Sequence, residues 1–132
     1  YFTRKSMLRQ HILHIDDDIE DQEIFNSALS KISDKLKCTC FTSAKEALRK
    51  LNDSEINPDV IFLDLNMPIM SGKEFLQEIK QINHLKSIPV IIFSTSSNAS
   101  MIADTKALGA ADFITKPNRF NDLVDALQQV IH

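Results

Sequence analysis

Three consecutive carboxylates follow an apolar run in HILHIDDD, residues 11–18. Asp16, Asp17 and Asp18 repel one another at that spacing unless a positive charge sits among them. Asp64 closes another apolar run, DVIFLD, while Ser94 closes PVIIFS and Lys116 follows ADFIT. Carboxylates converging on one rim suit a hard cation such as Mg²⁺, which prefers oxygen ligands, keeps several waters and works beside substrate phosphates. Asp64 then reads as a nucleophile able to form an aspartyl phosphate. Lys116 reads as a counter-ion for Asp64 or for a phosphoryl oxygen, and Ser94 as a hydroxyl donor. Such a set works by positioning and charge neutralisation. The loop DLNMPIMSGKEF adds Asn66 as a backbone carbonyl donor to the cation, Pro68 as a stiffener and Gly72 as the residue that permits a close turn into the next helix.

Bringing these residues together requires a scaffold that ends its strands on one edge. Five apolar runs, HILHI, LKCTCFT, DVIFLD, PVIIFS and ADFIT, alternate with segments of helical character. Ile24, Phe25, Ala28, Leu29 and Ile32 keep a helical period, SAKEALRKL opens with a Ser43 to Glu46 capping-box spacing, and Phe75, Leu76, Ile79 and Ile82 share one side. NASMIADTKALGA supplies a fourth helix. In the last, Asn118 is the expected cap, with Phe120, Leu123, Leu127 and Ile131 facing inward. Strands alternating with helices imply right-handed crossovers and a parallel sheet covered on both faces. The expectation is a five-stranded, doubly wound α/β sandwich, with its site beyond the carboxyl ends of the strands.

Composition narrows the function classes. The chain of 132 residues holds one domain, and 43% apolar with 25% charged residues is the balance of a globular protein. A formal charge of -3 with scattered basic residues argues against nucleic acid as a direct partner. No apolar run approaches a membrane span and no signal peptide is recognisable, so the expected location is cytoplasmic. With Gly72 and Gly109 the chain's two glycines, neither a dinucleotide fingerprint nor a P-loop is present. Cys38 and Cys40 read as small side chains packed on alternate strand positions, and His11, His14, His84 and His132 as surface or packing residues without ligand spacing. Met67 and Met70 read as packing.

With these residues in place, the chain resembles the response-regulator receiver domains of bacterial two-component signalling. The resemblance covers residues 11–131 and is carried by HIDDD, VIFLDLNMPIMSG, PVIIFSTSS and GAADFITKP in that order. It implies a flavodoxin-like sheet with strand order 2-1-3-4-5. The chain then divides into an N-terminal extension, residues 1–10, where Met7 is a candidate start behind appended residues, and a receiver domain, residues 11–132. The resemblance makes Asp17 the direct Mg²⁺ ligand, Asp16 a ligand acting mostly through water, Asp64 the phosphoacceptor and Asn66 the residue whose carbonyl completes the metal shell. Asp18 lies outside the usual acidic pair. Ser94 corresponds to the switch hydroxyl, Lys116 to the family's salt-bridge lysine, Pro117 to its usual cis proline, and Phe113 to the aromatic switch position, here without a tyrosine hydroxyl.

The implied function is phosphoryl transfer from a histidine kinase or histidine phosphotransfer protein to Asp64, with Mg²⁺ required. Such a chain catalyses its own phosphorylation and dephosphorylation but serves primarily as a signalling module. The downstream target is expected to be a protein that reads the fourth-helix, fifth-strand and fifth-helix face, with the chain a monomer or a phosphorylation-dependent dimer. Three alternatives stay open: a receiver module excised from a hybrid kinase or longer regulator, a non-phosphorylated interaction scaffold, and a Mg²⁺-dependent phosphatase that uses Asp64 transiently. The phosphatase needs an additional acid for its leaving group, and Asp18 is adjacent to the acidic pair rather than suitably offset. Thr95 stands where the family commonly has a small residue, so its bulk is expected to narrow the entrance to Asp64 and slow small donors and hydrolytic water. Thr95→Ala should therefore speed turnover at Asp64, and equal rates for the two proteins would remove Thr95 from the account.

Overall fold

The computed structural model describes residues 10–131, so the proposed extension lies, apart from Gln10, outside the described residues, as does His132. Each apolar run becomes a strand: β1 (His11–Ile15), β2 (Lys37–Phe41), β3 (Val60–Leu63), β4 (Val90–Ser94) and β5 (Asp112–Thr115). The intervening helices are α1 (Ile19–Ile32), α2 (Ala44–Asn52), α3 (Gly72–Ile79), α4 (Ala99–Ala107) and α5 (Phe120–Ile131). All strand pairs are parallel, in the order β2-β1-β3-β4-β5. This is the doubly wound order expected from the resemblance.

Strand alternation sorts the core into two layers. Leu13, Ile15, Ile61, Leu63, Val90 and Ile92 face α2 and α3, where Ala47, Leu51, Phe75, Leu76 and Ile79 meet them. Ile12, Val60, Phe62, Ile91 and Phe93 face α1 and α5, packing on Phe25, Ala28, Leu29, Leu123, Leu127 and Ile131. Most of these side chains are fully buried. Each of the larger ones contributes about 1.5–3 kcal/mol relative to exposure, which is what holds the strand ends in fixed relation.

Helix starts carry their own signals. Asp18 caps α1, its carboxylate accepting from the Glu20 and Asp21 N–H groups at 2.9 and 3.3 Å. Ser43 accepts from the Glu46 N–H at 3.2 Å, forming that half of the expected box, while the reciprocal capping box forms at Ser71 and Glu74. Two expectations shift. Helix α5 begins at Phe120, with the Leu123 N–H bonding back to the Arg119 carbonyl, so Asn118 falls one residue short of the capping position. Phe120 itself is 38% exposed because it opens the helix, whereas Leu123, Leu127 and Ile131, further along the same stripe, are buried. Ile24 likewise falls outside the buried stripe of α1.

The loop from β3 to α3 determines where Asp64 points, and it contains two backbone constraints. A Cβ at Gly72 would stand 2.3 Å from the Asp64 carbonyl oxygen and 2.7 Å from Leu65 Cα, so glycine is required by close backbone approach. Ile69, by contrast, has φ 70° and is 92% exposed, a left-handed conformation that a β-branched residue adopts only under strain. Gly72→Ala should destabilise the chain by more than about 2 kcal/mol, whereas Ile69→Gly should stabilise it by about 0.5–1 kcal/mol after the entropic cost of glycine. Denaturant titrations of both variants check this, and an Ile69→Gly midpoint at or below wild type would contradict the strain assignment.

Candidate phosphoryl-transfer and metal site

The site lies at the carboxyl edge of the sheet, where β1, β3, β4 and β5 end beside one another. Asp16 follows β1 and donates its N–H to the Phe41 carbonyl at the end of β2, at 3.0 Å. Asp64 follows β3 and donates its N–H to the Ile15 carbonyl, also at 3.0 Å. These bonds continue the ladders past the last strand residue, so both carboxylates project from backbone held on its neighbour. Gln22 reinforces the edge, its side-chain amide donating to the carbonyls of Asp16 and Phe41 at 2.7 and 3.1 Å.

Ligand atoms of Asp16, Asp17 and Asp64 all lie within 4.8 Å of one another. Asp16 and Asp64 are buried and Asp17 is exposed, so the cluster opens to water on the Asp17 side. Both Asp16 oxygens are already engaged: Oδ1 accepts from the Asp18 N–H at 3.0 Å, and Oδ2 accepts from Lys116 Nζ at 2.7 Å. Asp17 and Asp64 are therefore the freer oxygen donors. Asn66 is exposed in the following loop, its backbone N–H on the side of the Asp64 carboxylate that favours the charged form. An all-oxygen set with one open side fits a hard divalent cation that keeps part of its water shell.

Burial pushes the Asp64 carboxyl up to about 6; Lys116 opposes the shift, the neighbouring Asp16 adds to it, the Asn66 N–H opposes it and Asp17 adds to it. Lys116 answers differently from expectation. Its ammonium reaches Asp16 at 2.7 Å and Asp21, on the first turn of α1, at 2.8 Å, and no bridge to Asp64 forms within the same range. Burial pulls the Lys116 pKa down, but hydrogen bonds to Asp16 and Asp21 outweigh it and hold the ammonium above its usual range. The Nζ also lies 5.6 Å from the Phe93 ring centroid, within cation–π reach.

Asp21 is the residue that the sequence reading missed. Its available signal was modest: an acidic residue in a helix's first turn, a position normally explained by the helix dipole. Pro117 corrects another expectation. No cis peptide bond occurs among the described residues, so the Lys116–Pro117 bond is trans, the lower-energy isomer, and Lys116 reaches its two carboxylates from it.

Ser94 ends β4, fully buried, and its Oγ has no hydrogen-bond partner. Its carbonyl accepts the Lys116 N–H at 2.7 Å, tying the end of β5 to the end of β4. Thr95, the next residue, is exposed. Phe113 pairs in register with Ile92, is partly buried and packs on the layer facing α2 and α3. Met67 and Met70 are partly buried against the same layer. His14 is a core residue, stacked on Phe25 with ring centroids 3.9 Å apart.

Comparison with known proteins gives this geometry a family. The model of the response regulator receiver domain matches residues 12–128. A two-component response regulator of rice, ORR11 from Oryza sativa subsp. indica, is 35% identical over 121 residues, covering 92% of this chain and 80% of the relative. The phosphorylated cyanobacterial phytochrome response regulator RcpA superposes with a TM-score of 0.82 at 30% identity, covering 92% of this chain and 91% of that one. The Mn(2+)-bound form of the response regulator Rcp1 superposes at 0.80 with 29% identity, over 92% and 91% of the two chains. No helix among the described residues is long and apolar enough to cross a membrane. Five parallel strands in this order, the acidic edge they build and the match across residues 12–128 agree: the chain belongs to the response regulator receiver domain family.

Proposed function

We propose that residues 11–132 act as a phosphoacceptor module that takes a phosphoryl group onto Asp64 from a histidine of a kinase or phosphotransfer protein, in a Mg²⁺-dependent reaction. The observation that carries this reading is the cluster of Asp16, Asp17 and Asp64 within 4.8 Å, with Lys116 at its inner wall. Two solved relatives, one described as phosphorylated and one as Mn(2+)-bound, lend support. Asp17, Asp64 and the Asn66 carbonyl would hold the cation, with Asp16 acting through water because Lys116 and the Asp18 N–H occupy its oxygens. Bound there, Mg²⁺ would keep Asp64 ionised and offset charge on the phosphoryl oxygens.

The chain's own groups supply the rest. Asp64 attacks from a backbone fixed at the end of β3, so little ordering is left to be done on approach. The Lys116 ammonium, shared between Asp16 and Asp21, is within a side-chain swing of a new phosphoryl oxygen. The Ser94 hydroxyl, buried without a partner, gains one when that oxygen arrives, and the gain favours an arrangement in which Ser94 turns toward Asp64. Because the Ser94 carbonyl holds the Lys116 N–H, the change is communicated to β5 and to Phe113. The face of α4, β5 and α5 is the proposed binding surface for a downstream protein. Its groove is lined by Ile102, Thr105, Lys106, Ala110, Asp112 and Phe113.

Intact mass after incubation with acetyl phosphate tests the reading directly. One added phosphoryl group that requires both Mg²⁺ and Asp64, and is lost in Asp64→Asn, is the expected result. Absence of an adduct together with no Mg²⁺ binding by titration would retire it in favour of an interaction scaffold.

The acidity of Asp64 gives an independent check. With its carboxyl raised from 3.8 to about 6, the folded chain binds this proton more tightly than the unfolded chain does. The resulting stability is complete below pH 3.8 and is lost as pH rises through about 6. Without divalent cations, Asp64→Asn should therefore be more stable than wild type at about pH 7.5, by about 1–2 kcal/mol, with the gain shrinking as pH falls through 6 toward 4. A gain independent of pH would show that it does not come from the carboxylate charge.

A further inference from the structure

Strand β2 forms one edge of the sheet and carries two cysteines on the same face. Cys38 stands in register with Ile12 and Cys40 with His14. Both thiols are free and half-buried, and their Sγ atoms lie 3.6 Å apart. That is a van der Waals contact distance, and β2 is an edge strand, paired on one side and open to bending on the other.

The two sulfurs differ in their surroundings. The Asn26 side-chain amide, reaching from α1, donates to Cys40 Sγ at 3.5 Å. Hydrogen bonding from Cys38 foremost, with the nearby His14 ring and the Asn26 amide also favouring the charged sulfur, holds the Cys40 thiol well below the ordinary thiol range, although burial opposes this. The same Cys38–Cys40 hydrogen bond, with burial, pushes Cys38 up. An acidic thiol beside a second, less acidic one is the arrangement of a nucleophilic cysteine with its resolving partner.

We propose that Cys38 and Cys40 form a reversible dithiol–disulfide site, in which Cys40 attacks a low-molecular-weight disulfide and Cys38 resolves the adduct. In the first step the Cys40 thiolate attacks one sulfur of the small disulfide; its S–S bond breaks, and the departing thiolate takes up the proton that Cys40 gave up. In the second, Cys38 loses its proton and attacks Cys40 Sγ, forming the intrachain bond and expelling the other small thiol. Overall the protein loses two protons and two electrons, and one disulfide is reduced to two thiols. Two residues along a strand span about 6.6 Å, near the upper end of the Cα separations that disulfides bridge, and their Cβ atoms must draw closer than an extended strand holds them, so closing the bond bends the edge strand and the strained bond would open readily to excess thiol.

The test uses the full chain with glutathione disulfide as oxidant, followed by alkylation of remaining thiols and intact mass. Wild type is expected to lose two hydrogens, retain no glutathione, and regain both thiols with dithiothreitol. Cys38→Ser should retain one glutathione on Cys40, and Cys40→Ser should react about tenfold or more slowly at Cys38. Circular dichroism of the two serine variants establishes that they remain folded, and the wild-type result stands without them. Stable glutathione on both cysteines of wild type, or equal rates in the two variants, would overturn the proposal.

Discussion

One ammonium group organises the acidic end of this molecule. Lys116 Nζ lies 2.7 Å from Asp16 and 2.8 Å from Asp21, and among the described residues no other lysine or arginine forms a salt bridge with the carboxylates of this pocket. Asp16, Asp17, Asp21 and Asp64 together bring four negative charges against it. Two short, charge-assisted bonds relieve Asp16, the most buried of them, and Asp21, while Asp64 is left with a raised pKa and a preference for further positive charge. The pocket is thus partly neutralised, enough to fold and still attractive to a divalent cation.

That interaction depends on topology. Lys116 is 100 residues from Asp16 and 95 from Asp21 in the chain. They meet because a parallel sheet places the carboxyl ends of all its strands on one edge, and because α1 packs on the same face as α5 with its first turn at that edge. The apolar layers on either face of the sheet hold this edge rigid. The Cβ-free surface of Gly72 then lets α3 start against the backbone of Asp64 and Leu65. Removing slack at these points fixes where the carboxylates of the pocket stand relative to one another, and a ligand-binding constellation depends on such fixed positions.

Against this rigid frame stand a few buried groups with unmet bonding capacity. Ser94 Oγ and both ring nitrogens of His14 lack partners. Such groups cost free energy, of order 1–3 kcal/mol each where no water reaches them. Ser94 sits at the carboxyl end of β4, so its unpartnered hydroxyl lies at the same edge of the sheet as the acidic pocket. His14 faces Asp16 at 3.7 Å and stacks on Phe25, so it links the acidic edge to the core behind it.

The alternation of strands and helices, the doubly wound sheet and the strand-end placement of Asp16, Asp64, Ser94 and Lys116 were all legible in the sequence, because each depends on local periodicity and on where an apolar run stops. Pairings between those ends were not. The choice of Asp21 over Asp64 as the second partner of Lys116 and the burial of His14 are decided by distances between segments far apart in the chain. For the cysteines, spacing placed them on one face of a strand, where their mutual contact is the largest cause of their unlike acidities, and the tertiary structure added the Asn26 amide from α1 on the Cys40 side alone. Sequence determined which groups reach the edge of the sheet. Tertiary structure decided which of them touch, because charge and hydrogen bonding act through space over a few ångströms and leave no periodic trace along the chain.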